Sequence, residues 1–553
     1  MGAPMGAPMG APMGQQWGAP PPQLFPPAGP PLGPTLWQRL SKDGAGSRIL
    51  AWVGGAVTLL GVVLLLVLAI QRGYLGPLSR VLLGAALGVG LAGTGMRLHR
   101  TPANRIGALA VAATGFAVVY LDLVAATTLY HYLPSWLGLL AGLLVAGAGL
   151  LLAGRWDAEL FAVFVVVGCA VCAPVLTGGF KPLLLGFLLV LMTATSPVLL
   201  RRRWPGLALA AGVPPVVAST VTILVARTAT HPDTPKTTAA MLGVATTALV
   251  IALATAAAAR QPDGDQLPGL LVGAVVPGLL AATLVPRLPA AGLAIVVCGF
   301  LLVVWLVDRS GLLELPRRFV TVAGAGSALA LFQATMLAAQ GRGLAPVLLG
   351  EALLFGLLAW RSRGTGVLVA SAGFGLAGLL AALVHGLPIV YLLQPPRYAP
   401  PLGTLATAAG TGLLLTAVVA VLLVAATKAG VLPGPDHQPG PWLTGAAIGL
   451  YGASGAVLTV GLLIAPDRAG FLGGHVLVTI SWTVTALVLL LRGIDHLPLR
   501  VTGLVLTGAA LAKLVLFDLA SLDGLARVAA FLGAGLVLLA AGTRYARLVA
   551  GRH

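Results

Sequence analysis

Charged residues are scarce in this sequence, and their scarcity argues against a water-soluble protein. They make up 9% of 553 residues, whereas hydrophobic residues make up 58% and the mean hydropathy is +0.99. A soluble domain averages about 25% charged and about 45–50% apolar residues, and its core stops growing near about 250–300 residues. The excess apolar surface must therefore face lipid, so the lipid bilayer is the first expected partner.

Acidic residues are rarer than basic ones, with 15 Asp and Glu against 33 Lys and Arg and a formal charge of +18. Apart from the triplet Arg201–Arg202–Arg203, the basic residues are scattered between apolar blocks. A nucleic-acid groove needs a dense basic stripe that follows the phosphates. The sequence therefore predicts no nucleic-acid partner, and scattered cations suit the ends of membrane-spanning helices.

Cysteine is almost absent. The chain has three, which are too few for a disulfide framework. Cys169 and Cys172 lie one helical turn apart inside the apolar run FAVFVVVGCAVCAPVL. No histidine or further cysteine lies nearby, whereas a structural metal site typically needs about four ligands. We expect a helix–helix contact at this point, no metal site and no cofactor.

Familiar enzyme motifs are also missing. None of the lysines follows a glycine, which excludes a Walker A loop, and no HExxH occurs. Gly88, Gly90 and Gly93 spell GxGxxG, but inside an apolar run rather than between a strand and a helix. Together with Gly84 they predict a stripe of small residues for close helix packing.

Long apolar runs fill the chain from Ile49 onward, each about 18–25 residues long and able to cross a hydrocarbon core of about 30 Å. The sequence therefore predicts an all-α, polytopic integral membrane protein with about eighteen transmembrane helices in residues 49–553. The predicted spans are 49–70, 78–98, 106–130, 135–153, 158–176, 182–200, 205–227, 237–259, 268–287, 289–308, 317–340, 344–361, 364–386, 402–425, 442–465, 472–491, 498–517 and 525–547.

Residues 1–48 differ from the rest in composition. They open with MGAPMGAPMGAPMG and continue with a dense run of proline and glycine, a composition that cannot form a packed core. The segment has no apolar run of the kind found in a secretory signal peptide. We expect a disordered cytoplasmic arm, which is either an inert tether or a docking arm for a protein partner.

The basic residues also predict the orientation of the chain. With the arm in the cytoplasm, about two-thirds of the 33 Lys and Arg fall on the cytoplasmic side. An excess of Lys and Arg in short cytoplasmic loops is the positive-inside signature. Both termini are therefore expected in the cytoplasm of a bacterium, with the protein in its cytoplasmic membrane.

Ionisable residues inside the apolar runs are the candidate functional residues, because such groups are rare in membranes and often mark functional sites. They all map to the outer half of the predicted bilayer. There they either line one water-accessible outer cavity that binds substrate, or form scattered structural contacts. The candidates are Asp122, Glu351, His385, His475, Lys513, Asp518 and Arg527. Thr479 and Trp482 share a helix face with His475 at positions i+4 and i+7.

The C-terminal stretch KLVLFDLASLDGLARVAAFLGAGLVLLAAGTRY combines a Lys-x4-Asp-Leu-x2-Leu pattern with a Gly-containing apolar helix. It resembles the end of a bacterial family of predicted membrane proteins, the domain of unknown function twenty-three thirty-nine. GGHVLVTISWTVTALVLLLRGI is similar to the family's penultimate conserved region, and the resemblance spans about residues 45–550. It implies a membrane architecture but no activity. Family members often begin with a coiled coil, where this chain has its proline-rich arm.

Three functions are consistent with these features. The leading hypothesis is a protein of the bacterial cell envelope that handles or translocates a lipid-linked or amphipathic substrate. The alternatives are a membrane scaffold or assembly factor, and a membrane-embedded transferase or hydrolase that uses Asp122, Glu351 or His475.

Pro214–Pro215 and Pro277 are expected to break two helices near mid-membrane, as in transporters. The second half lacks matching central prolines, so an inverted-repeat transporter is not favoured.

Overall fold

The computed structural model describes most of the hydrophobic part of the chain. Its described ranges are 76–228, 236–261, 265–396, 398–435, 437–493, 497–518 and 531–536, with a few single positions elsewhere. Within these ranges the regular structure is helical and no strand occurs, which confirms the predicted all-α fold. Sixteen of the described helices are long and apolar enough to cross a membrane.

The helices agree with sixteen of the eighteen predicted spans. The spans 49–70 and 525–547 and the arm 1–48 lie, except for a few positions, outside the described residues. The helices are α1 Pro77–Leu98, α2 Arg105–Val124, α3 Ser135–Trp156, α4 Glu159–Leu176, α5 Pro182–Arg201, α6 Pro205–Thr228, α7 Lys236–Ala258, α8 Leu267–Ala281, α9 Arg287–Arg309, α10 Arg317–Ala338, α11 Leu344–Ser362, α12 Thr365–Ala381, the short α13 Ile389–Leu393, α14 Leu402–Lys428, α15 Pro439–Ile464, α16 Arg468–Arg492 and α17 Leu497–Lys513.

The central prolines do not break their helices, contrary to the expectation from sequence. α6 runs through Pro214 and Pro215, and α8 runs through Pro277. Each proline removes one backbone donor, but neighbouring helices can compensate in a membrane. At the turn of Pro277, the Thr247 hydroxyl of α7 donates to the Ala274 carbonyl at 2.7 Å. The broken-helix argument for transport is therefore wrong.

Residues 90–115, the second half of α1 and the first half of α2, belong to a separate compact unit. Within it, a Cβ added to Gly95 would lie 2.8 Å from the Ala112 side chain. Gly90 and Gly93 have open space around them, whereas Gly84 and Gly88, in the other unit, are buried. Of the predicted small-residue stripe, Gly84 and Gly88 are therefore buried, whereas Gly90 and Gly93 make no close helix contact.

Elsewhere, consecutive helices pack as antiparallel pairs held close by small residues. The pairs α9–α10, α11–α12 and α14–α15 have the most extensive contacts of the described helices. Between α14 and α15, a Cβ on Gly412 would lie 2.8 Å from the Ala456 backbone nitrogen. Between α3 and α4, the Cys169 thiol donates to the Gly142 carbonyl at 3.6 Å, as expected for a helix contact.

Successive long helices in residues 116–518 run in opposite directions, so the connections between them lie alternately at two ends of the bundle. At one end, Arg202 pairs with Asp157 at 3.0 Å and Arg318 pairs with Asp265 at 3.1 Å. We call this the basic end, because it also carries the triplet that begins at Arg201. The opposite end, at which α10 finishes and α11 begins, is called the Arg342 end.

Candidate functional site

The candidate site is built around the connection between α12 and α14, residues 387–401, at the Arg342 end. Leu387 opens this connection and is buried, with 1% of its surface exposed. The Tyr451 hydroxyl of α15 donates a hydrogen bond to the Leu387 carbonyl. Gly455 lies against the Leu387 side chain, and a Cβ on this glycine would collide with it. These contacts hold the start of the connection against α15.

A cavity of about 320 Å³ lies beneath the connection, within the usual range of about 300–1,000 Å³ for small-molecule sites. Its walls are mostly apolar and come from α14, α15 and the connection itself. The lining residues used below are Arg342, Leu387, Tyr391, Leu392, Thr404 and Leu458.

Among the described residues that line this cavity, Arg342 is the one with a charged side chain. We therefore call it the Arg342 cavity. Its Nη1 atom donates to the Thr404 hydroxyl at 2.7 Å, and Nη2 donates to the Tyr391 hydroxyl at 3.4 Å. These neutral partners orient the guanidinium without neutralising its charge. The positive charge therefore remains available at the edge of an apolar space.

Several exposed side chains of the connection are apolar. Ile389, Val390 and Leu393 of the short α13 have about half of their surface exposed, and α13 spans five residues. Tyr398, later in the connection, has 88% of its surface exposed. Aromatic and aliphatic side chains that cover a bundle end in this way are typical of segments lying in the membrane interface.

A second pocket, of about 230 Å³, adjoins the first and shares Leu392 and Leu458 with it. His475 of α16 and Lys513 of α17 line this pocket. The Lys513 ammonium donates to the His475 carbonyl at 3.3 Å and to the Thr479 hydroxyl at 2.7 Å. The structure thus brings two predicted candidates together.

Aromatic rings surround His475, which is 6% exposed. Its ring centroid lies 4.5 Å from that of Phe471 and 4.7 Å from that of Phe517. Trp482 donates its indole N–H to the Ser454 hydroxyl at 2.9 Å at the rim of the same pocket. His475 and Trp482, two of the three residues on the predicted helix face, therefore line this second pocket. The third, Thr479, accepts a hydrogen bond from Lys513, which also lines it.

Asp122 lies elsewhere, on α2 against α1. Gly84 makes room for it, because a Cβ at this glycine would collide with the Asp122 carboxylate. One turn before Gly84, Arg80 donates to the Tyr130 hydroxyl at 3.5 Å. Asp122 thus occupies a helix–helix contact in which a glycine leaves space for its carboxylate.

Glu351 of α11 contacts α10. It accepts a hydrogen bond of 2.6 Å from the Thr335 hydroxyl, and its Oε2 atom is buried with no hydrogen-bond partner. Neither Glu351 nor Thr335 lines the Arg342 cavity. Its hydrogen bond joins two adjacent helices.

The remaining candidates are exposed or fall outside the described side chains. His385 is exposed, within a π turn at Ala382–Gly386. Asp518 ends another π turn at Leu514–Asp518, and its side chain lies outside the described residues, as does all of Arg527. A third π turn, Ala125–Leu129, follows Asp122. Such turns are rare and often occur at functional sites, and all three lie where a helix reaches the Arg342 end.

Sequence reasoning did not select Arg342, Tyr391, Thr404 or Tyr451. The predicted candidates are charges inside apolar runs, whereas Arg342 lies in the short connection QGRGLAP. One signal could have drawn attention to this region: residues 387–401 form a long connection rich in proline and aromatic residues. Of the described residues, no group of three His, Cys, Asp or Glu lies close enough to hold a metal ion.

Comparison with known proteins gives one match. The sequence model of a family described as Predicted membrane protein (DUF2339) matches residues 46–463 and 336–548. The two matches together cover most of the chain and confirm the resemblance noted in its C-terminal stretch. No curated protein and no solved structure matches the chain.

Proposed function

The chain belongs to the family of multi-pass membrane proteins described as Predicted membrane protein (DUF2339), and we propose that it binds and handles an amphipathic, lipid-linked anion in the Arg342 cavity. Handling includes moving this substrate within or across the bilayer. The observation that carries the proposal is the guanidinium of Arg342, the one charged group among the described residues that line this apolar cavity. The proposal places the protein in the cytoplasmic membrane of a bacterium, with residues 1–48 as a cytoplasmic arm.

The chemistry of the cavity suits a ligand with one charged end. A guanidinium binds phosphate or carboxylate through two parallel N–H donors and keeps its charge at any physiological pH. Thr404 and Tyr391 hold the Arg342 head in place, which reduces the entropy lost on binding. The apolar walls would gain about 25 cal/mol for each Å² of ligand surface that they remove from water.

The position of the cavity gives such a ligand access from the bilayer. Ile389, Val390 and Leu393 present apolar surface outward from the connection that covers the cavity. A lipid-linked molecule could keep its chain in the hydrocarbon while its head group reaches Arg342. A fully water-soluble anion could bind the guanidinium but would gain nothing from the apolar walls.

A membrane-embedded transferase or hydrolase is the alternative that a specific observation favours. His475 and Lys513 line the second pocket, which shares Leu392 and Leu458 with the Arg342 cavity. A head group held by Arg342 would then have an imidazole and an amine nearby for proton transfer. This alternative predicts chemical turnover as well as binding.

The test measures binding of two fluorescent anionic lipids, a phosphatidylglycerol and a polyprenyl phosphate, to the purified full-length protein in detergent. Replacing Arg342 with alanine should weaken binding of at least one probe by about tenfold or more, because a charge-assisted hydrogen bond is lost. Arg342→Lys, which keeps the charge but not the planar fork, should fall between the wild type and Arg342→Ala.

Arg287→Ala is the matched control. Arg287 is also at the Arg342 end and also donates two hydrogen bonds, to the Met336 and Ala339 carbonyls, but it does not line the cavity. This variant should bind both probes within about twofold of the wild type. Wild-type protein that binds neither probe, or equal losses in Arg287→Ala and Arg342→Ala, would overturn the proposal. Probe movement in proteoliposomes or conversion in detergent then separates translocation from catalysis, and a pure scaffold would bind neither probe.

A further inference from the structure

A third cavity opens at the basic end of the bundle, between the helix pairs α9–α10 and α11–α12. It encloses about 780 Å³, and we call it the Arg317 groove. Each helix pair packs tightly within itself, whereas α10 touches α11 and α12 at few residues. The groove is the space that this weak contact leaves.

The walls of the groove are apolar and several of their side chains are turned outward. Leu302 and Val369 are 42% and 70% exposed, on opposite walls. Trp305 and Phe355 line the inner part, and Gly324 leaves space in front of Trp305. In a membrane-spanning bundle such a surface faces hydrocarbon, so acyl chains are the available filling.

Two arginines stand at the mouth of the groove. Arg317 begins α10 and Arg363 follows the last residue of α11, so both lie at the basic end. None of the described residues that line the groove is acidic. The acidic partner at this end, Asp265, pairs with the adjacent Arg318 instead.

Arg363 adopts a left-handed backbone conformation with φ of 54°. A residue other than glycine in this region costs about 1–2 kcal/mol of backbone strain, although the next residue is a glycine. The Arg363 side chain lines the groove together with Arg317.

We propose that the Arg317 groove binds an anionic phospholipid of the adjacent leaflet, with its phosphate on Arg317 and Arg363 and an acyl chain along Trp305 and Phe355. Charge complementarity selects this ligand, because two guanidinium groups that form no ion pair with any described residue stand at the end of an apolar groove. The basic end is predicted to be cytoplasmic, and the cytoplasmic leaflet carries the anionic lipids. This site is at the other end of α10 from Arg342 and does not depend on the proposed function.

The experiment counts lipids bound to the purified full-length protein by native mass spectrometry during titration with phosphatidylglycerol or phosphatidylcholine. The double variant Arg317→Gln, Arg363→Asn removes both charges, and asparagine tolerates the left-handed backbone at position 363. It should weaken phosphatidylglycerol binding by about tenfold or more and leave phosphatidylcholine binding unchanged.

The matched control is Arg318→Gln, Arg361→Gln. It also removes two positive charges at the basic end, but from residues that do not line the groove. The control should retain phosphatidylglycerol binding within about twofold. Equal losses in the two double variants would mean that only overall charge matters and would overturn the site.

A second variant tests the acyl-chain part of the groove and does not alter charge. A Cβ on Gly324 would lie 3.7 Å from the Trp305 ring, and both residues line the groove. Gly324→Leu should therefore reduce phosphatidylglycerol binding, whereas Gly373→Leu, at a position with open space around it, should not. Unchanged binding in Gly324→Leu, or equally tight binding of inorganic phosphate, would overturn the proposal of a lipid ligand.

Discussion

Thr335 and Glu351 show at the scale of single residues how a carboxylic acid is held inside a membrane-spanning bundle. The Thr335 hydroxyl, 5% exposed, donates to Glu351 at 2.6 Å and joins α10 to α11. A buried acceptor that loses its donor costs about 1–3 kcal/mol, although hydrogen bonds between membrane helices average about 0.6 kcal/mol. The pair is therefore expected to have a structural role.

Thr335→Val keeps the shape of the side chain and removes the donor, so it should destabilise the protein by about 1–2 kcal/mol. The midpoint of thermal unfolding in detergent measures the effect. Thr321→Val on the same helix is the control, because the Thr321 hydroxyl bonds only within its own helix, to the Arg317 carbonyl. The double variant Thr335→Val, Glu351→Leu should recover stability, since neither partner remains. A normal midpoint for Thr335→Val would show that this hydrogen bond contributes nothing.

At the scale of elements, glycines decide how closely the helices of this bundle approach. Gly412 of α14 faces Gly452 and Ala456 of α15, and a Cβ there would lie 2.5 Å from the Gly452 carbonyl oxygen. Such an approach lets the backbones of two membrane helices pack directly against each other. Gly410, two residues earlier, has nothing within 4 Å of its Cβ position.

The two glycines therefore predict opposite signs for the same substitution. Gly412→Ala should destabilise the protein by about 1–3 kcal/mol, because backbone atoms cannot move aside as flexible side chains do. Gly410→Ala should leave stability unchanged or raise it by up to about 1 kcal/mol, since alanine favours a helix more than glycine does. Unfolding midpoints in detergent measure both. Equal midpoints for the two variants would contradict the close approach of α14 and α15.

For the whole molecule, the alternation of spans determines which loops share a side of the membrane. The connection after α9 and the connection after α10 lie at opposite ends of α10, at Ser310 and at Gln340. The first of these ends carries Arg317 and Arg318, whereas the second carries Arg342 alone in its connection. The positive-inside rule therefore assigns Ser310 to the cytoplasm.

Cysteine labelling tests this orientation. In a background without Cys169, Cys172 and Cys298, a membrane-impermeant maleimide should label Gln340→Cys in intact cells. It should label Ser310→Cys only after the membrane is permeabilised. Both positions are exposed, so access to the thiol depends on its side of the membrane. The reverse labelling pattern would invert the bundle and place the Arg317 groove in the outer leaflet.

Most of the described architecture could be predicted from the sequence, whereas most of the candidate site could not. His475 and Lys513, two of the seven predicted candidates, do meet, because they lie on helices that are adjacent in sequence. Asp122 and Glu351 were selected because they are acids in apolar runs, yet each lies on its own helix contact. The search for buried charges missed Arg342, whose charge lies in a connection.

The sequence by itself determined the membrane location and the helical spans, because an apolar run long enough to cross the bilayer is a local property of the chain. Only the tertiary structure decided where cavities form. Arg342 meets Tyr391 and Thr404, and Tyr451 meets the Leu387 carbonyl, at sequence separations of 49 to 64 residues. Such contacts depend on which helices are neighbours and how closely their glycines let them approach, and the hydropathy of a span contains neither.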